Sequence, residues 1–227
     1  MRNIPVARID LAAIQANLDL ARRCAPRSRI MAVVKADAYG HGAVEVSRAL
    51  QGVDALCVAR IDEGVTLRAA GIDTPILLLE GIIDGEELEA ARIERLTPVL
   101  HSTYQTELVK GSRHKDIAVW LKVDTGMHRL GFSVEEFRHG MTTGADLNVV
   151  GVMSHLANAD DPENQENINQ ARRVRRRPHT IWMSSFQSLI PGRFCISPAA
   201  TSTGFVQGSC FMAGHRDRFP TSGSRPA

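Results

Sequence analysis

Five side chains in this sequence have types and placements that support chemistry: Lys35, Lys122, Asp124, Arg129 and His155. All stand at or just beyond the ends of short apolar runs of the kind that form buried strands. Ile30 to Val34 is one such run, and Lys35 closes it. Gly40 and Gly42 bracket His41 a few residues later. A lysine at a glycine-bearing strand-to-helix turn is where an α/β barrel presents a reactive amine. The plainer reading is a strand-end lysine whose ammonium reaches water. By the same standard Tyr39 is a half-buried turn tyrosine and His155 a satisfied core histidine. Lys122 and Asp124 also read as a structural pairing with Arg129.

The elements that must position these residues alternate regularly. Asp10 is an N-cap for a helix with Leu11, Ile14, Leu18 and Ala21 at helical spacing, closed by Pro26. After the Ile30–Val34 strand, Val44, Val46 and Leu50 mark a helix that stops at Gly52. Ala55 to Ala59 is a strand and Ile61 to Ala70 a helix. Pro75 to Leu79 is a strand, and Asp84 caps the helix that follows. Leu96 to Leu100 is a strand, and Ser102 caps the next helix. Ile117 to Val123 leads into D-T-G-M-H-R-L-G-F. Ser133 with Glu136 forms a capping box, and Val149 to Ser154 is the sixth strand. Strands that alternate with helices in this way are parallel. The expected class is α/β, either a doubly wound sheet or a (β/α)8 TIM-type barrel. The barrel is favoured because polar residues gather at several strand ends and no G-x-G-x-x-G turn is present.

Composition narrows the class further. The chain of 227 residues is 44% hydrophobic and 23% charged, as expected of a globular protein with a sizeable core. It has no apolar run long enough to span a bilayer and no apolar leader after Met1, so a cytoplasmic location is expected, with no membrane partner. Cys24, Cys57, Cys195 and Cys210 have no C-x-x-C spacing and read as reduced thiols. No His, Cys or carboxylate cluster has metal-ligand spacing. The net charge of +2 is unevenly spread. Residues 1–170 carry 18 Lys and Arg against 24 Asp and Glu, whereas residues 171–227 carry nine Arg against the single Asp217. Beyond Gln170 the strand–helix rhythm fails, and five arginines fall between Arg172 and Arg177. Two units are expected: a barrel over 1–170 and a divergent basic tail over 171–227, frameshifted or poorly ordered.

Three blocks resemble one family. A-V-V-K-A-D-A-Y-G-H-G, ending at Gly42, resembles the cofactor-lysine motif of the alanine racemases. W-L-K-V-D-T-G-M-H-R-L-G-F, Trp120 to Phe132, resembles their second signature, and G-V-M-S-H-L-A-N-A-D, Gly151 to Asp160, a third. The resemblance runs from about residue 4 to about 170. It implies a pyridoxal 5'-phosphate enzyme of the barrel type that interconverts L- and D-alanine by Cα proton transfer, in the service of cell-wall synthesis. It also implies a homodimer with no nucleic-acid partner.

On that resemblance, Lys35 forms the Schiff base with the cofactor and acts as one of two opposed bases. Tyr39 contacts the cofactor phosphate. Arg129 contacts the phenolic oxygen and orients the substrate carboxylate, and His155 lies against the ring. Lys122 matches a lysine that is carbamylated in several members. Members of the family are longer. They complete the barrel with two further strands and add a C-terminal β domain, whose tyrosine is the second base on the partner subunit. No A-N-S-type or R-P-G segment is found here, so an incomplete barrel lacking that domain is expected. Two alternatives stand beside the racemase: a single-domain pyridoxal-phosphate-binding barrel without racemase activity, and an inactive fragment.

Overall fold

The parallel strands of the barrel end at or just before polar residues, and those ends share one face of the molecule. The computed structural model describes residues 6–174 apart from 27, 115, 144–146, 160 and 162, together with strands at 181–184 and 210–214. The expected irregular tail lies outside the described residues except for 171–174 and those two strands. Asp160, Cys195 and the side chain of Cys210 lie outside them too.

The chain opens with helix α1 (Leu11–Cys24), whose N-cap Asp10 accepts from the Ala13 amide at 3.1 Å. Strand β1 (Arg29–Val33), the turn α2 (Lys35–Gly40) and helix α3 (Ala43–Ala49) follow. Then come β2 (Ala55–Val58), α4 (Ile61–Ala69), β3 (Ile76–Leu78), α5 (Gly85–Ile93), β4 (Leu96–Leu100) and α6 (Thr103–Gly111). The unit continues through β5 (Ala118–Val123), α7 (Val134–Thr143), β6 (Asn148–His155) and α8 (Gln165–Val174). Asp84 accepts from Glu87 N at 2.8 Å to start α5, and Ser102 caps α6. The capping box before α7 is formed in both directions, Ser133 N to Glu136 at 2.8 Å and Glu136 N to Ser133 Oγ at 3.1 Å.

Strands β1 to β6 are parallel and pair in chain order, as the strand–helix alternation requires. Strands β7 (Ile181–Ser184) and β8 (Cys210–Gly214) close the sheet into a barrel. The sheet therefore departs from an all-parallel (β/α)8 pattern at one place. β7 continues parallel to β6, but β8 runs antiparallel to both β7 and β1. These two strands lie in the tail for which no regular element is expected from periodicity. Helix α8 also runs through residue 170, so that boundary falls inside an element.

Strand residues alternate between two buried layers, as the two-residue period of a strand demands. Met31, Val33, Cys57, Leu77, Trp120 and Met153 belong to the inner layer. Ile30, Ala32, Leu56, Ile76 and Leu121 belong to the outer layer, packed with helix residues such as Ile14, Leu18 and Leu67. Trp120, 2% exposed, fills much of the interior and lies against Gly151, where any Cβ would come within 2.6 Å of its ring. No helix among the described residues is long and apolar enough to cross a membrane.

Candidate active site

The inner layer fixes where the polar candidates go. Lys35 stands two residues beyond Val33, Lys122 two beyond Trp120, and His155 two beyond Met153. Each therefore takes the inner-layer register at the carboxyl end of its strand, the end at which barrels build their sites. Register between neighbours agrees, since Lys122 pairs with Met153 across β5 and β6.

These groups lie close enough for their charges to act on one another. Lys122 is 8% exposed. Burial, then the charges of Arg129 and Lys35, push its ammonium below the ordinary lysine range, against the opposing pull of Asp124 and Glu80. Burial also lowers His155, reinforced by Arg129, Lys122 and Lys35, to about 4. The imidazole is thus neutral at pH 7 and sits among three cations. That excess of positive charge suits an anionic ligand bearing phosphate, phenolate or carboxylate groups.

Asp124 does not neutralise the cluster by pairing with Arg129 in the way its spacing allows. Its Oδ1 accepts the amides of Gly126, Met127 and His128 at 2.8, 3.0 and 3.1 Å. Burial tends to raise its carboxyl, but those N–H groups, with the charge of His128, hold it below the ordinary aspartate range. Asp124 thereby shapes the loop that carries Arg129, while Arg129 itself is exposed.

The chain beyond Lys35 takes an unusual path. Ala36, Asp37, Ala38 and Tyr39 all have positive φ, between 50° and 57°, making one left-handed helical turn without glycine. Each such residue costs about 1–2 kcal/mol. Hydrogen bonds to charged groups, each worth about 1.5–3 kcal/mol, offset this. Glu63 Oε1 accepts from Ala36 N at 2.5 Å, and Asp37 Oδ1 accepts from Ala43 N at 2.7 Å. The His41 ring nitrogen Nδ1 lies 2.9 Å from the Ala38 carbonyl. Strain of this kind, over-determined by its surroundings, collects at functional sites. Tyr39, at the end of the turn, is 39% exposed.

A buried polar network supports the other side. Thr125 and Ser154 share a hydroxyl–hydroxyl bond of 2.7 Å. Gln170, 0% exposed, donates to Thr125 Oγ1 at 3.3 Å and to the His155 carbonyl at 3.4 Å. Its own Oε1 accepts from Ala157 N at 3.1 Å. Arg173, within the arginine run, also donates to the Thr125 carbonyl. A cleft of about 430 Å³ opens at the same end of the barrel, over β2 to β4, between Arg60, Glu80, His101, Tyr104 and Leu130. Lys35, Lys122 and His155 do not line it, although Leu130, the residue after Arg129, does.

The structure thus gathers Lys35, Lys122, Arg129 and His155, with Tyr39 one turn beyond Lys35. Sequence reading misses Glu63, Asp37, Gln170 and the Thr125–Ser154 pair. Glu63 sits at the third position of a helix, where glutamate is an ordinary capping residue, so nothing marks it out.

Comparisons with known proteins place the chain in one family. The model of the alanine racemase N-terminal domain matches residues 9–197, past the point near 170 where the sequence resemblance ends. The chain is 47% identical over 166 residues to the alanine racemase of Nitrosococcus oceani, covering 71% of this chain and 47% of that protein. It is 47% identical over 173 residues to that of Thioalkalivibrio sulfidiphilus, covering 73% and 48%. Among solved structures, the biosynthetic alanine racemase of Pseudomonas aeruginosa superposes with a TM-score of 0.67 at 38% identity, covering 73% of this chain and 48% of that one. The alanine racemase of Bartonella henselae, solved with covalently bound pyridoxal phosphate, gives 0.71 at 27% identity, covering 82% and 58%. The chain spans about half the length of the curated relatives it matches.

Proposed function

Because the chain belongs to the alanine racemase N-terminal domain family, matched over residues 9–197, we propose that it is the cofactor-bearing barrel of an amino-acid racemase acting on alanine. The observation that carries this reading is the convergence of Lys35, Lys122 and Arg129 on a neutral His155 at the carboxyl ends of the barrel strands. The donor chemistry fits pyridoxal 5'-phosphate, an anion with a carbonyl that an amine can capture. The cofactor, when bound, supplies an electron sink for the pair left behind when a Cα proton departs.

The residues divide the work. Lys35 would be the covalent anchor and would take or return the Cα proton on one side of the substrate. Tyr39 donates its hydroxyl to the phosphate. Arg129 holds the phenolic oxygen ionised and attracts the substrate carboxylate. His155 would lie against the ring, and its lowered pKa keeps it from adding a positive charge to the site. Lys122 is carbamylated. Burial and the charges of Arg129 and Lys35 favour its neutral form, the form that adds to carbon dioxide, and the resulting anion would fix the Arg129 guanidinium. The barrel unit is assigned past residue 170, because α8 crosses that point and β7 and β8 pair with β6 and β1, although the composition of 171–227 diverges. The working assembly is a cytoplasmic homodimer.

A second reading is favoured by one observation. Of the two tyrosines, Tyr39 is assigned to phosphate, and the Tyr104 hydroxyl is donated to the Ile83 carbonyl at 2.9 Å. Neither is left as a base for the opposite side of the substrate, so this chain by itself carries the cofactor without racemising. A coupled assay of D-alanine formation, run on the chain loaded with pyridoxal phosphate, separates the two. Turnover that needs Lys35 supports the racemase. Cofactor binding without turnover supports the carrier.

A further inference from the structure

Glu63 lies outside the three motif blocks, yet its carboxylate joins the two strand ends nearest the cofactor lysine. Oε2 accepts from Ala59 N at 2.6 Å and Arg60 N at 3.1 Å, at the end of β2. Oε1 accepts from Ala36 N at 2.5 Å, the peptide that leaves Lys35. That peptide begins the left-handed turn, whose four non-glycine residues prefer other conformations. Val34 N donates to the Cys57 carbonyl at 2.8 Å, so β1 and β2 are already in register up to this point. Beyond it the sheet ladder gives out, and Glu63 takes over the link between the two strands.

We propose that Glu63 is a positioning residue for Lys35: its carboxylate holds the Ala36 amide to the end of β2, so that the Lys35 amine is presented to the cationic site. The proposal rests on the reading of Lys35 as the cofactor anchor. Carboxylate chemistry is specific here. Three N–H donors converge on two oxygens, and only a group with acceptors on both arms satisfies them. In Glu63→Gln the amide oxygen keeps the two donors of Ala59 and Arg60. Its NH2 then faces the Ala36 N–H, donor against donor. The helix cap survives while the link to Ala36 is lost. Glu136→Gln is the matched control, because Glu136 caps its own helix in the same way, through Ser133 N at 2.8 Å, and holds no amide of β1, β2 or the turn after Lys35.

The test uses the full chain and two readouts. Amide hydrogen exchange of the peptide covering 36–39 is measured without cofactor. The rate at which borohydride traps pyridoxal phosphate on Lys35 is then measured by peptide mass spectrometry, with Lys110 as internal reference. In Glu63→Gln, exchange at 36–39 rises about tenfold, the loss of one hydrogen bond to a charged group. Trapping at Lys35 slows by a similar factor relative to Lys110. Glu136→Gln changes neither. Unchanged exchange at 36–39 in Glu63→Gln overturns the clamp. Raised exchange with unaltered trapping at Lys35 overturns the positioning role. A chain with native glutamate that never traps at Lys35 overturns the cofactor reading instead, and with it the role assigned to Glu63.

Discussion

Lys122 lies diagonal to His155 on the neighbouring strand: Lys122 pairs with Met153, two residues before His155, and after burial and Arg129 its charge helps hold the imidazole near pKa 4. Lys122 therefore helps set the state of His155. A further cation at this spot would be costly beside Lys35, Lys122 and Arg129, so the histidine stays neutral. Its proton balance follows. Between about pH 6.5 and 4 the unfolded chain protonates His155 and the folded chain does not. The unfolded state then binds more protons, so stability is full above 6.5 and falls with falling pH across this window.

Urea unfolding measured at pH 7 and pH 4.5 reads this directly. The shift corresponds to at most about 3 kcal/mol, and water around the part-exposed ring cuts that to roughly half. In His155→Gln this share of the acid destabilisation disappears. An unaltered pH dependence would show that the ring is not held neutral by the fold.

Gly151→Ala places a methyl group 2.6 Å from the Trp120 ring, which has no room to retreat inside the barrel. The expected cost is about 1–3 kcal/mol, seen as a lower thermal midpoint. Gly111→Ala is the contrast, because a Cβ there meets nothing within 4 Å. It raises or leaves stability unchanged by helix propensity.

Gln170→Leu removes the amide that joins Thr125, His155 and Ala157, leaving the part-buried Ala157 N–H without its acceptor and the buried Thr125 hydroxyl without one donor. The predicted loss is about 1–3 kcal/mol in denaturant unfolding. Faster amide exchange should be confined to the segments around 125 and 157. Loss of stability without that local signature would mean the network acts through general packing.

The strands and their caps are legible in the sequence because they rest on local chemistry. The Leu96–Leu100 run matches β4 residue for residue, and Asp10, Asp84 and Ser133 cap the helices their spacing announces. Lys35, Lys122, Arg129 and His155 are legible because each closes or follows a strand within a long motif. The left-handed turn is not, since Ala36, Asp37, Ala38 and Tyr39 are not residues that favour positive φ, and Gly40 and Gly42 draw attention further along. Its conformation is imposed by distant partners, notably Glu63. β7 and β8 are equally hidden. Their pairing with β6 and β1 is non-local, and they sit in a stretch rich in Ser, Gly, Pro and Arg.

Lys122 offers a separate check on the site's charge. Mass spectrometry of the intact chain in bicarbonate, with Lys122→Ala for comparison, is expected to show the added mass of carbon dioxide only when Lys122 is present. In Lys122→Ala, binding of pyridoxal phosphate should weaken about tenfold as Arg129 loses its fixed partner. Equal binding by both chains would leave Lys122 a buried amine without a role in the site.

The central claim is that this barrel anchors pyridoxal phosphate on one lysine of four, Lys35, Lys110, Lys115 and Lys122. Its most direct test is to incubate the chain with stoichiometric pyridoxal phosphate, reduce with borohydride and map the adduct by peptide mass spectrometry. The predicted result is a single adduct on Lys35, together with a Schiff-base absorbance band that is lost in Lys35→Ala. Label spread over Lys110 and Lys115, or a band that survives in Lys35→Ala, would contradict it.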